Sequence, residues 1–290
     1  MNKRIITIII ALATVCDGAW AQPKKSTCPI PGNRGVGKMT VVDTTRIRVW
    51  YAFNADNVKD VNTYIDQQRL DIGKRLTKIY SDFLFCSDSL LAAWSKSHPC
   101  ARTVPNPFTM SNGGKKEGMW SEYEYSDLFI SNGKLTEYAI MPMNLDRECC
   151  QYTEPVPKQQ WTLKDEQQNI HGYRCQKATC HWRGRDYVSW FTSEIPIQRG
   201  PWKFGGLPGL IVKISDAKKE YNFELVRLER TPRPIMQWNF SRFKKVKRLD
   251  MLKLQKKINV NWLTVLYGGR VTSLEGNTFP DKPYSPMELE

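Results

Sequence analysis

From residue 43 to residue 229, short runs of alternating apolar and polar residues recur between turn residues, and no other feature narrows the fold so far. Ile47, Val49, Tyr51 and Phe53 share one face of an extended segment and Arg46 and Arg48 the other, the pattern of a half-buried antiparallel strand. Residues 64–73 and 75–85 read as two further extended segments. Ser87 then reads as the cap of a short helix running to Trp94. Pro99, Pro105 and Pro107 with Gly113 and Gly114 mark a long loop. Strand patterning resumes at Trp120, and Asn132-Gly133 signals a two-residue hairpin turn. Extended segments follow at 134–140, 161–163, 170–182, 187–192, 210–215 and 221–228. Strands this short and regularly spaced predict a mainly β fold: an antiparallel curved sheet or open barrel with one or two short helices.

The N-terminus predicts export. Lys3 and Arg4 precede an uncharged apolar run over residues 5–15, and Ala19-Trp20-Ala21 fits a cleavage site after Ala21. At roughly 11 residues the run is too short to span a bilayer, which takes roughly 20. An alternative makes Cys16 a lipidation site, although Val15 is a poor residue before such a cysteine. The expected organisation is then a signal peptide over 1–21, an irregular leader over 22–42 and a mainly β domain over 43–240. A basic segment, helical in part, follows over 241–275, and a proline-rich, disordered tail over 276–290.

Export also changes what the net charge of +14 means. It removes nucleic acid as a partner and leaves an envelope protein or a lipid. The basic segment, with Arg242, Lys244, Lys245, Lys247, Arg248, Lys253, Lys256 and Lys257, would then touch a membrane surface peripherally. In an oxidising compartment Cys28, Cys86, Cys100, Cys149, Cys150, Cys175 and Cys180 are disulfide candidates. Their number is odd, so at least one is left over or bonds between chains. Cys86 and Cys100 suit a local bridge, while Cys149 and Cys150, being adjacent, do not suit each other.

The stretch 170–211 carries a resemblance. It runs Ile170-His171-Gly172-Tyr173-Arg174-Cys175, then Arg183-Gly184-Arg185-Asp186-Tyr187 and Trp190-Phe191-Thr192. It ends in Gly206-Leu207-Pro208-Gly209-Leu210-Ile211, which spells the signature of the GLPGLI family. The chain resembles that family, whose members are exported proteins of Gram-negative bacteria with no established activity or catalytic residues to carry over. Its layout is also similar to the LolA-like open barrels that shuttle lipoproteins. Pro208 and Gly209 suit a type II turn with positive φ at Gly209. Trp202, Phe204, Leu207 and Leu210 supply apolar surface that is either core or a lip for a lipid or a partner. Arg183 and Arg185 flank a turn glycine and either bind an anion or are solvated charge.

No catalytic motif appears, and neither a cofactor nor a metal is expected. His171, Cys175 and His181 would share a face of one strand but lie roughly 13 and 20 Å apart along it, too far for a single ion. Asp186 and Glu194 are scattered acids that no spacing selects. The expectation is a non-enzymatic binding or assembly factor for a lipid, lipoprotein or outer-membrane partner. The alternatives are a secreted hydrolase whose acids, or a His–Cys pair, converge only on folding, and a scaffold joined through the odd cysteine.

Overall fold

The computed structural model describes residues 28–32, 34–103, 114, 120–269, 271–272, 276 and 278–290. The expected signal peptide, its cleavage site and Cys16 lie outside the described residues. Thirteen strands run in chain order as β1 (Thr40–Phe53), β2 (Asp66–Gly73), β3 (Leu76–Ser81), β4 (Ser126–Ser131), β5 (Lys134–Ala139), β6 (Cys150–Pro155), β7 (Thr162–Ile170), β8 (Tyr173–Trp182), β9 (Arg185–Thr192), β10 (Leu210–Asp216), β11 (Asn222–Glu229), β12 (Pro234–Gln237) and β13 (Lys244–Lys245). Helix α1 (Asp82–Ser97) follows β3, and α2 (Arg248–Tyr267) follows β13. One open sheet joins the strands in the order β13-β6-β5-β4-β3-β2-β1-β11-β10-β9-β8-β7, with β12 beside the start of β1. The mainly β, open-sheet expectation is met.

Register explains the alternation. Leu228, Val49, Leu70, Ile79 and Leu128 face one another across five adjacent strands as a single apolar row. The row continues into β5 and β6, but there the residues are Glu137 and Tyr152. A buried glutamate in an apolar row demands a cation, and that demand organises the site described below. Met251 and Ile258 of α2 are buried in the same core.

Local expectations fail where a turn was misjudged. The segment 75–85 is extended only to Ser81, whose hydroxyl accepts from Leu84 N at 3.1 Å and caps α1 six residues before the expected cap, Ser87. The segment 170–182 is not one strand. His171 and Gly172, with φ of 51° and 85°, make a tight turn between β7 and β8. Residues 121–125 are a turn, and β4 begins only at Ser126.

None of the seven described cysteines forms a disulfide. Cys86 sits inside α1 and Cys100 beyond its end, with a helix rise of roughly 16 Å from Cys86 to Ser97 between them, and both thiols are free. Cys175 and Cys180 are roughly 16 Å apart along one strand.

The largest correction concerns the tail. Residues 278–283 run exposed, and the segment then enters the core, with Met287 completely buried and Glu288 only 4% exposed. Composition misled here because three prolines signal disorder only if nothing holds the chain, and many side chains hold this one.

Candidate functional site

The tail lies in a groove whose walls are the sheet, the loop between β9 and β10, and α2. Glu137 of the sheet, Trp202 and Lys203 of the loop, and Leu252 and Gln255 of α2 surround Tyr284, Pro286 and Glu288. Only about 20 Å³ remains empty among them, room for roughly one water.

Side chains and one backbone carbonyl, rather than a strand ladder, grip the tail backbone. Arg185 Nε donates to Pro286 O at 2.8 Å, and Met287 N donates to Tyr123 Oη at 2.9 Å. Tyr187 Oη donates to Met287 O at 3.0 Å, and Leu289 N donates to Arg183 O at 3.0 Å. Tyr284 Oη donates to Glu122 Oε1 at 2.7 Å, fixing where the segment enters. From Met287 to Leu289 three successive side chains take three different seats. Met287 enters the core, Glu288 enters a cage of cations, and Leu289 rests over Gly184 with 54% of its surface exposed.

The cage is charge-balanced. Lys203 pairs with Glu137 Oε2 at 2.7 Å and with Glu288. Arg183 pairs with Glu154 at 2.8 Å and with Glu288, and Arg248 at the start of α2 reaches Glu288 at 2.6 Å. Burial favours neutral forms, yet the opposed charges win on both sides. Glu288 would be raised by burial, but Lys203 and Arg183 hold it below the ordinary glutamate value. Lys203 would be lowered by burial, but Glu137 and Glu288 hold it above the ordinary lysine value.

Arg183 and Arg185 therefore bind anions, but those anions are the protein's own. Arg185 meets Asp216 at 3.0 Å and Glu220 at 2.7 Å. Trp202, Phe204, Leu207 and Leu210 are buried, so they form packing rather than an exposed lip. Trp202 and Phe204 stand edge-on to Trp182, with centroids 5.6 and 5.5 Å away, and Phe204 packs on Tyr187 at 4.8 Å. Trp202 holds a φ of 49°, a conformation a bulky residue keeps only when its surroundings enforce it. Pro208 is exposed. Gly209 does not make the expected type II turn, since its φ is 158°; a Cβ there would stand 2.0 Å from Thr192 O. Close backbone approach, not turn geometry, requires that glycine.

The residues weighed for chemistry do not converge. His171 bonds Glu224 at 2.9 Å, and His181 bonds Asp186 at 2.7 Å, both near the surface. Glu194 accepts from Arg174 N at 2.8 Å. Burial pushes the thiols of Cys175 and Cys180 up to about 11 and about 12, so both stay protonated and poorly nucleophilic near neutrality. Among the described residues no group of three His, Cys, Asp or Glu could hold a metal ion.

Sequence reasoning missed Glu137, Glu154, Lys203, Arg248 and the tail. One signal was present: Leu135-x-Glu137-x-Ala139 puts an acid on the apolar face of a strand, and such an acid needs a partner. On the opposite face a second buried network ties Arg34 to Asp88 and Asp127, each at 2.9 Å, and Arg48 to Asp71 at 2.5 Å. It fastens the leader and α1 to the sheet.

The pattern of a family described as a protein of unknown function (Porph_ging) matches residues 183–213. That stretch includes Arg183, Gly184, Arg185, Trp202 and Lys203, the loop-side wall of the groove. Two crystal forms of PNGF-II, in space groups P21 and C2, are similar at 14% identity, with TM-scores of 0.43 and 0.42. Each comparison covers 74% of this chain and 34% of theirs, so the chain spans about a third of the length of those structures. No curated protein matches.

Proposed function

We propose that this chain is an exported, non-enzymatic binding or assembly factor of the cell envelope that holds an extended polypeptide segment between its sheet and α2. One observation carries the reading: side chains hold residues 284–290 through backbone and side chain together, as a binding protein holds a peptide. A lipoprotein or an outer-membrane protein suits such a groove better than a bare lipid, because its polar lining of Arg183, Arg185, Lys203 and three tyrosine hydroxyls would strand an acyl chain. The GLPGLI resemblance belongs to the same reading, since its residues 170–211 overlap the loop-side wall.

A photo-crosslinking residue in place of Trp182, which packs on Trp202, tests it in cells. The expected product is an adduct with another envelope polypeptide, beside the adduct with the chain's own tail. Adducts with lipid alone would refute the reading.

A second reading rests on the exposed lysines Lys245, Lys247, Lys253, Lys256 and Lys257 on and before α2. They form a basic platform for peripheral contact with an anionic membrane, worth about 1 kcal/mol per lysine near the surface. Among the described residues no helix is long and apolar enough to cross a membrane.

A further inference from the structure

The groove reads its occupant in a way that specifies a ligand class. Met287 needs an apolar seat and Glu288 needs the cation cage, while Leu289, 54% exposed, only rests over Gly184. A Cβ on Gly184 would lie 2.8 Å from Leu289 Cβ, so the absence of a side chain there keeps room for that third residue. Without Glu288 the cage would hold Lys203, Arg183 and Arg248 against only Glu137 and Glu154, one positive charge in excess. An empty groove therefore demands a carboxylate directly after a buried apolar side chain.

The occupant also stands outside the sheet's ladder, although its Met287 reaches the core. It adds no strand to the sheet, so its departure breaks no ladder hydrogen bond. The loop-side wall falls within the stretch matched by the family pattern, whereas the tail lies beyond it.

We infer that the groove's exchangeable ligand is an extended acidic segment of a partner protein, with an aliphatic residue directly before its glutamate, and that residues 284–290 occupy the groove until that segment displaces them. This rests on reading the groove as a polypeptide-binding site. The tail is then an internal competitor. Being tethered, it acts at an effective concentration of about millimolar, so only a ligand that is abundant or better matched replaces it. Such competition rejects weak binders and keeps the cage from standing uncompensated.

The probe is a fluorescent peptide of residues 284–290, amidated at its end and titrated into the full chain. Anisotropy reports binding, and hydrogen exchange at the amides of Met287 and Leu289 reports tail displacement. Half-displacement is expected at about millimolar peptide. The Glu288→Gln peptide should need at least about tenfold more, because it brings no charge to the cage. A full-length chain carrying Met287→Ala has a weaker internal competitor and should bind the native peptide at least about tenfold more tightly than the native chain does.

Equal displacement by the native and Glu288→Gln peptides would overturn the acidic specificity. No binding to either chain at about 10 mM peptide would overturn the exchange itself. If the Trp182 crosslink still captures an envelope polypeptide in those cases, the binding function stands and only this inference falls. If it captures none, both fall.

Discussion

Replacing Lys203 by methionine tests the buried cage most directly. The ammonium lies between Glu137 and Glu288, and all three side chains are at most 5% exposed. Methionine keeps the apolar length of the lysine stem but leaves two carboxylates without their shared cation. Removing one partner of a buried ion pair costs about 3–5 kcal/mol, because the remaining charge stays desolvated. For a chain of this size each kcal/mol moves the melting temperature by about 2–4 °C, so Lys203→Met should lower Tm by roughly 10 °C. Thermal unfolding followed by near-ultraviolet circular dichroism measures the loss, and hydrogen exchange locates its first effect at residues 284–290. The double variant Lys203→Met and Glu137→Leu should recover most of it, since it removes the buried pair together and leaves Arg183 and Arg248 balanced by Glu154 and Glu288. A loss below about 1 kcal/mol in the single variant, or no recovery in the double, would refute the argument that paired burial sets the energetics here.

Acid should loosen the tail before it unfolds the sheet. Glu288 has a folded pKa below its ordinary 4.5, so its contribution is present above that value and is lost as pH falls through the lower folded one. Glu122, raised by burial, has the opposite sign and gains from protonation, which keeps the rest of the groove intact. Trp202 emission followed from pH 6 to pH 2 should change in step with exchange at Met287; simultaneous loss of all structure would contradict this order. Gly209→Ala should destabilise by about 1–3 kcal/mol or more, because its new methyl group meets Thr192 O. Urea unfolding measures that cost, and a change within error would mean that the loop relaxes freely.

Local chemistry decided what the sequence revealed by itself. Period-two alternation is a property of each strand, and Asn132-Gly133 needs only its own backbone angles, so the sheet class and several turns were legible. The burial of Trp202, Phe204, Leu207 and Leu210 was legible as one of two readings, because an aromatic cluster alone does not say what covers it. Tertiary structure decided the rest. Arg183 meets Glu288 across 105 residues, and Lys203 meets it across 85. No local pattern encodes a pairing that distant; it forms because register lines Glu137 up with an apolar row and the fold must then supply a cation and a further acid. The tail was misread for the same reason: its order resides in the groove that receives it, and its own composition carries no trace of that groove.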